Sequence, residues 1–157
     1  MKKTVVITLL GLALLAALPT QAKAAGPLNF YIRFGVITDN HATFDPFLWT
    51  MGANFDFNLS ENLFISADAD MIIYKFNFKP VWLTPSVLLN FRFSDFYIGA
   101  GVSKFVLIGS GYSLSSDLLF KINAGFKSNA FKLQVFAYSP FGDFGVFGLG
   151  ANLGFGF

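Results

Sequence analysis

The sequence predicts an all-β fold, an eight-stranded antiparallel up-and-down transmembrane β-barrel preceded by a cleavable helical signal peptide. Two observations lead to this prediction. Hydrophobic residues make up 54% of the 157 residues and charged residues only 13%, about half of the usual charged fraction of a soluble domain. After residue 24 the chain alternates between apolar and other residues with a period of two, which is the pattern of β-strands.

The first 24 residues have the three parts of a secretory signal peptide. Lysines follow Met1, residues 5–18 form an almost unbroken apolar run, and Ala22-Lys23-Ala24 is a small-residue cleavage site. We therefore expect residues 1–24 to be removed and residues 25–157 to form the barrel.

Charge and cysteine content exclude several classes of function. Three of the 11 basic residues lie in segment 1–24, so eight remain against 9 acidic ones, and the mature chain is slightly acidic. Nucleic acid is therefore not an expected partner. The absence of cysteine excludes a disulfide scaffold, a cysteine-ligated metal site and a thiol nucleophile.

No apolar run after Leu18 reaches the roughly 20 residues that a transmembrane helix needs. A closed barrel is the other structure that leaves no backbone polar group unpaired in hydrocarbon. If the mature chain enters a bilayer, it must therefore do so as a closed sheet.

Eight segments carry the alternation. They are residues 30–36, 48–59, 63–73, 81–93, 96–103, 117–126, 131–138 and 147–157. The second is the clearest, because Trp49, Met51 and Phe55 lie on one face whereas Gly52 and Asn54 lie on the other. The first face suits lipid, and the second suits a polar interior.

The connections are predicted to alternate in length. Tight turns are expected at Ser60-Glu61-Asn62, Ser94-Asp95 and Ser128-Asn129, and longer loops at 38–47, 74–80, 108–116 and 139–145. Short turns on the periplasmic side and longer loops outside are typical of outer-membrane barrels.

Two of these turns also predict a register. A two-residue turn at Ser94-Asp95 places Phe93 opposite Phe96 and Arg92 opposite Tyr97. A two-residue turn at Ser128-Asn129 places Phe126 opposite Phe131 and Asn123 opposite Gln134. Both registers keep apolar residues on one face, as a half-buried sheet requires.

The inward stripe carries charged and large apolar residues together. The expected interior charge network comprises Arg33, Asp56, Asp68, Asp70, Arg92, Lys121 and Lys132, and the large apolar inward residues are Phe64, Ile72, Leu88, Leu119, Phe136 and Tyr138. An eight-stranded barrel is just wide enough for its own side chains to fill, so we expect a plugged interior rather than an open pore. A polar relay or narrow ion path, and a passage for a small hydrophobic solute, are the alternatives.

A weak repeat accompanies the even-numbered strands. An inward asparagine precedes an outward phenylalanine by three residues in 54–57, 90–93, 123–126 and 152–155. These phenylalanines predict the inner aromatic girdle of a membrane barrel.

The signal peptide, the eight amphipathic strands, the short turns and the closing Asn152-Leu-Gly-Phe-Gly-Phe157 resemble the small outer-membrane barrels of the OmpX and OmpA transmembrane-domain type. The resemblance covers the whole mature chain and implies a Gram-negative outer-membrane protein exported through the periplasm. It also implies that the C-terminal aromatic residue, Phe157, is the signal read by the barrel-assembly machinery.

Three lysines are expected near the outer rim. Lys104 lies on the outward stripe of the fifth strand, and Lys75 and Lys79 lie in a neighbouring connection. Either these cations contact lipopolysaccharide phosphates by charge attraction, or they only solvate the loop ends.

Enzymatic activity is not expected, although some eight-stranded barrels are lipid A acyltransferases or deacylases. His41 is the single histidine, and no serine follows it in a local pattern that would pair a nucleophile with a base. We therefore assign no catalytic residue, no metal and no cofactor.

A soluble lipocalin-like barrel is the opposite arrangement, with large apolar residues inside. It would force more than twenty outward apolar residues of this chain into one small core. The prediction is thus a monomeric outer-membrane barrel with a structural, envelope-integrity or surface-interaction role. A narrow channel for hydrophobic solutes, as in OmpW-like barrels, and a lipid A-modifying enzyme are the alternatives.

Overall fold

The computed structural model of the chain describes residues 28–38, 44–45, 48–74, 77–109, 112–141 and 148–157, without the side chains of 77–79 and 112–113. The predicted signal peptide (1–24), His41 and Lys75 lie outside these ranges, as does the side chain of Lys79.

Eight antiparallel strands form one closed barrel in sequence order, which confirms the predicted eight-stranded up-and-down β-barrel. The strands are β1 (Leu28–Ile37), β2 (Leu48–Asn58), β3 (Leu63–Tyr74), β4 (Asn77–Phe93), β5 (Phe96–Gly109), β6 (Tyr112–Lys127), β7 (Phe131–Pro140) and β8 (Gly148–Gly156). Within the described ranges, no helix is long and apolar enough to cross a membrane.

The ring is closed by the pairing of β1 with β8, in which Arg33 lies opposite Gly154 and Ile37 opposite Gly150. Beyond this ladder, the amide of Thr38 donates to the carbonyl of Leu149, and the amide of Phe157 donates to that of Phe30. Each strand therefore has a hydrogen-bonded neighbour on both sides.

Burial follows the predicted period of two, with the polar stripe inside. On β3, Ser66, Asp68 and Asp70 are at most 4% exposed, whereas on β4 the outward Val87 and Leu89 are 54% and 43% exposed. Strand sequence and barrel closure together bury these polar side chains in the lumen and expose these apolar side chains on the outside.

We call the end that carries the connections 59–62, 94–95 and 128–130 the turn end, and the opposite end the loop end. At the turn end the predicted turn at Ser94-Asp95 is confirmed, with Phe93 opposite Phe96 and Arg92 opposite Tyr97. Ser94 has a φ of 59° and is the one non-glycine residue with positive φ among the described residues. A positive φ at the first turn residue alone is the φ pattern of a type II′ turn, which suits a two-residue hairpin.

The predicted register of β6 and β7 is wrong. Lys127 lies opposite Lys132, so four residues, 128–131, separate this last pair, and Phe126 lies opposite Leu133 rather than Phe131. The longer turn is held by Ser128, whose hydroxyl accepts hydrogen bonds from the amides of Ala130 and Phe131. Lengthening the turn by two residues preserves the side-chain faces, and for this reason the alternation alone does not reveal it.

Two of the predicted loops are also wrong, because strands occupy most of 74–80 and 108–116. Tyr74 pairs with Asn77, and Gly109 pairs with Tyr112, so two connections at the loop end are as short as the turns. The register shifts between Ile72 and Tyr74 and again between Lys104 and Val106. A bulge interrupts strict alternation while pairing continues, which hides the rest of the strand from a period-two search.

Inward glycines allow close approach between neighbouring strands. A Cβ added to Gly101 would collide with the carbonyl oxygen of Val87 and lie 2.6 Å from the Cα of Leu88. Both atoms belong to the backbone of β4, so they cannot move aside. At Gly148 the nearest atom, Cδ1 of Ile37, would be 3.5 Å away, which is ordinary contact.

We predict that Gly101→Ala lowers the free energy of unfolding by about 1–3 kcal/mol, because the methyl group overpacks a site walled by backbone. Gly148→Ala is the matched control and should be neutral or slightly stabilising. Urea unfolding in detergent micelles or lipid vesicles measures both variants. Equal stability of the two would contradict the close-approach explanation.

Candidate functional site

The lumen contains a group of charged side chains toward the turn end. We call this group the charge cluster, and its members are Arg33, Asp56, Asp68, Asp70, Lys121, Lys127 and Lys132. Each member is at most 4% exposed. Buried charges are costly unless they are paired, so their partners decide whether the cluster is stabilising.

Half of the charge cluster is organised around Asp68. Its Oδ1 lies 3.1 Å from Nη1 of Arg33, and its Oδ2 lies 2.9 Å from Nζ of Lys121. The second terminal nitrogen of the Arg33 guanidinium, Nη2, donates to Oδ2 of Asp70. Two cations are thus balanced by two carboxylates that lie two residues apart on the inward face of β3.

The other half is organised around Asp56, nearer the turn end. Nζ of Lys132 lies 2.8 Å from its Oδ1, and Nζ of Lys127 lies 3.0 Å from its Oδ2. The amide of Asn54 donates to both Asp56 and Asp68, at 3.0 and 2.8 Å, and so joins the two halves.

Aromatic rings complete the surroundings of the two lysines at Asp56. Nζ of Lys127 lies 4.0 Å from the ring centre of Phe64, and Nζ of Lys132 lies 5.0 Å from that of Tyr97. Tyr31 closes the same end, since its hydroxyl donates to the carbonyl of Ser128 at 2.6 Å. Cation–π contacts in a desolvated site are attractive, and they offset part of the cost of burying two cations beside one carboxylate.

The structure brings together six of the seven residues that the sequence assigned to the interior network, and it places Arg92 elsewhere. Arg92 is partly exposed and donates from Nε and Nη2 to the carbonyl of Glu61. It lies one residue from the end of β4, where an inward side chain can reach the turn surface. Lys127 is the member that sequence reasoning missed, although it shares the inward parity of Lys121 and Asn123.

An apolar group fills the lumen toward the loop end. We call it the apolar cluster, and it consists of Ile37, Ile72, Phe105, Leu119, Phe136 and Tyr138, with Leu48 packed against it. The rings of Phe105 and Tyr138 meet at 5.0 Å, and those of Phe136 and Tyr138 at 5.4 Å. The large inward residues predicted from the sequence are all buried, and Phe64 and Leu88 lie outside this cluster.

Lys121 is where the two clusters meet. Its ammonium nitrogen is bonded to Asp68 and lies 5.0 Å from the ring centre of Phe136 and 5.2 Å from that of Tyr138. The lumen therefore passes from ion pairs to packed rings within the length of one side chain.

The outward face is apolar along the strands. Its exposed large residues include Ile32, Phe34, Phe55, Val87, Leu89, Phe91, Ile98, Val102, Ile122, Val135, Leu149, Leu153 and Phe155. Aromatic residues mark both ends of this surface. Phe57, Phe93 and Phe96 lie at the turn end and Trp49 and Phe141 at the loop end.

Two further residues singled out from the sequence lie on the outside. Lys104 is partly exposed on β5, at the bulge before Val106, and lies opposite Leu118. Phe157 is 83% exposed, and its ring lies 6.3 Å from that of Phe30. The remaining predicted rim residues, Lys75 and Lys79, and the single histidine are not among the described side chains.

The described side chains of the lumen are packed against one another and joined by ion pairs. The carboxylates of the charge cluster are occupied by lysine and arginine. Among the described residues no group of three or more His, Asp or Glu side chains is placed to hold a metal ion.

No family model matches the chain, and neither does any curated protein. Among solved structures, the chain is similar to Ail, the attachment invasion locus protein of Yersinia pestis, crystallised with the heparin analogue sucrose octasulfate. The alignment has a TM-score of 0.43 and 12% sequence identity, and it covers 82% of this chain and 94% of that one. The fold assignment therefore stands on the strand pairing of this chain itself.

We predict that Asp68→Asn lowers the free energy of unfolding by about 3–5 kcal/mol, because it leaves Arg33 and Lys121 buried with too little countercharge. Asp117→Asn, the same change at an exposed position of β6, should alter it by less than about 0.5 kcal/mol. Thermal or urea unfolding of both variants in the same detergent measures the difference. A stable Asp68→Asn barrel would mean that the ion pairs do not hold the lumen together.

Proposed function

We propose that this chain is a small Gram-negative outer-membrane barrel of the OmpX and OmpA transmembrane-domain type, with a sealed lumen and a structural, envelope-integrity or surface role. The observation that carries the proposal is the inverted distribution of polarity. Charged and amide side chains are buried inside the barrel, and large apolar side chains cover the outside. A continuous apolar surface of this extent favours lipid as its surroundings rather than water.

The position of the aromatic residues supports the same surroundings. Rings at both ends of the outward face fit the two interfaces of a bilayer, where aromatic side chains concentrate in membrane barrels. Outer-membrane barrels have short turns on the periplasmic side, so we place the turn end toward the periplasm and the loop end toward the outside.

A sealed lumen is favoured over a channel. The apolar cluster occupies the loop end with ring-to-ring contacts of 5.0 and 5.4 Å, and the charge cluster occupies the rest with direct ion pairs. A solute would have to displace packed rings and then break buried ion pairs. The hydrophobic-solute channel and the ion path are therefore less well supported, and no observation on the described residues favours a lipid A-modifying enzyme.

Lipopolysaccharide is the proposed partner at the outer rim. Lys104 lies eight residues beyond Phe96 on β5, a height of about 20 Å above the inner girdle for a strand rise of about 3.4 Å and a tilt of about 40°. This height is close to the outer edge of an apolar band about 25 Å tall, where a lysine reaches headgroup phosphates. The exposed ring of Phe157 fits the proposed recognition by the barrel-assembly machinery. The eight strands of one chain close the barrel, which supports the proposal of a monomer.

We predict that the purified barrel gives no steady single-channel conductance in planar bilayers, because both halves of the lumen are filled. The conductance of the wild-type protein is compared with that of an Asp68→Asn and Lys121→Met double variant, which loosens the junction of the two clusters. A steady conductance of the wild-type protein would contradict the sealed lumen while leaving the membrane location intact.

We predict that Lys104→Ala lowers the thermal midpoint in lipopolysaccharide-containing membranes but not in phosphatidylcholine, because one contact to a phosphate is lost. The expected loss is of the order of 1 kcal/mol, the usual attraction of one surface cation to an anionic membrane. Lys104→Arg is the control and should retain the wild-type value. Equal loss in both lipids would show that the residue acts through packing rather than charge.

A further inference from the structure

The β5–β6 hairpin extends past its β7 neighbour at the loop end. We call its outermost part the hairpin tip, which comprises residues 106–109 of β5 and 112–115 of β6. Among the described residues, pairing of β6 with β7 begins at Leu119–Pro140, which lies below the tip. In the described part of the chain, the tip is therefore paired with the barrel on the β4 side alone.

A β-bulge interrupts the hairpin just below the tip. The ladder passes from the pair Lys104–Leu118 to the pair Val106–Ser115, so two residues of β6 oppose Phe105. The amide of Phe105 donates to a serine hydroxyl of β6 at 3.0 Å. A bulge disrupts the ladder locally and bends the strand that carries it, so the sheet can bend at this row.

A ladder hydrogen bond is also missing on the β4 side of the same row. The pair Phe93–Phe96 flanks a two-residue turn and therefore exchanges both backbone hydrogen bonds, and every second pair above it does the same. Pro85 and Lys104 lie eight residues above this pair on their strands, which makes them such a pair. Proline has no amide hydrogen, so the carbonyl of Lys104 lacks its ladder donor on β4.

Above this row, the hairpin tip pairs with the end of β4. The pairs are Val81–Ile108, Trp82–Leu107 and Leu83–Val106. They are separated by the missing bond from the ladder that resumes at Ser86–Ser103. An element held by few neighbours opens at a lower free energy than the whole structure unfolds.

We propose that the hairpin tip is a lid that opens as one unit about a hinge at residues 104–105 and 116–117, while the ring of strands below it stays closed. The bulge and the missing hydrogen bond form one row across β4, β5 and β6, so these strands are less regularly paired along the row than below it. Among the described residues, only the pairs with β4 must separate for the tip to open. This motion does not depend on where the barrel resides or on its proposed role.

Opening of the hairpin tip exposes one edge of the apolar cluster. Trp82 of β4 has Leu107 of the tip as its cross-strand neighbour, and its ring meets that of Phe105 at 6.1 Å. Phe105 belongs to the apolar cluster, and Trp82 is already 38% exposed. The lid thus controls access to the rings at the loop end, whereas the charge cluster lies toward the turn end and stays enclosed.

Amide hydrogen exchange of the full barrel in detergent micelles or lipid nanodiscs tests the hinge. The amides of Val106 and Ile108 face β4, as do those of Ile98, Ala100 and Val102 below the hinge. We expect the first two to exchange at least about tenfold faster than the other three, and to share one dependence on urea. Equal rates above and below the hinge, or rates that rise gradually toward the tip as in simple fraying, would overturn the proposal.

Two engineered disulfides provide matched variants, because the chain has no cysteine of its own. Val81→Cys with Ile108→Cys joins the tip to β4, and Val87→Cys with Val102→Cys joins the same strands below the hinge. Both are hydrogen-bonded pairs, whose Cα atoms lie about 5.5 Å apart and suit a disulfide.

The first disulfide should slow exchange at Val106 to the rates found below the hinge, whereas the second should leave it fast. Equal slowing by both disulfides, or no slowing by the first, would contradict a hinged lid. If the variants fail to fold, the wild-type rates still decide, because a hinge requires one step between Val102 and Val106.

Discussion

The closed hydrogen-bonded ring of strands is the constraint on which the rest of the structure depends. A backbone N–H or C=O left unpaired in hydrocarbon costs several kcal/mol, so a sheet can enter a bilayer only if its first and last strands pair. In this chain the pairing of β1 with β8 satisfies that requirement, and it is extended past the strand ends by Thr38 and Phe157. Once the ring is closed, successive side chains along each strand point alternately into a narrow lumen and out to the surroundings.

The narrow lumen explains the composition of the inward stripe. With eight strands there is room for side chains but little else, so large residues on one strand must face small ones on its neighbours. Gly150 illustrates this, because the ring of Phe136 occupies the space that a side chain at 150 would need. Gly101 lets the backbones of β4 and β5 approach closely in the same way.

The two clusters of the lumen differ in how they avoid the cost of burying unpaired polar groups. At the loop end, packed rings exclude water and need no polar partner. Toward the turn end, the charged residues are held by ion pairs, by the bridging amide of Asn54 and by aromatic faces. Such a network contributes less to net stability than an apolar core of equal volume, but loss of one partner leaves a buried charge that is strongly destabilising. The lumen is therefore sensitive to single charge changes although its ion pairs are many.

The sequence by itself determined the strand count, the two faces of the strands and six members of the charge cluster, because period-two alternation is a local property of strands whose two faces have different surroundings. It also determined the turn at Ser94-Asp95, where the flanking phenylalanines leave one register. Only the tertiary structure decided the four-residue turn after Lys127, since a shift of two residues leaves both faces unchanged. It likewise decided the continuation of β4, β5 and β6 past their bulges, the exclusion of Arg92 and the inclusion of Lys127. These depend on how far each strand extends along its neighbours, and closure of the ring sets that extent rather than any local pattern of residues.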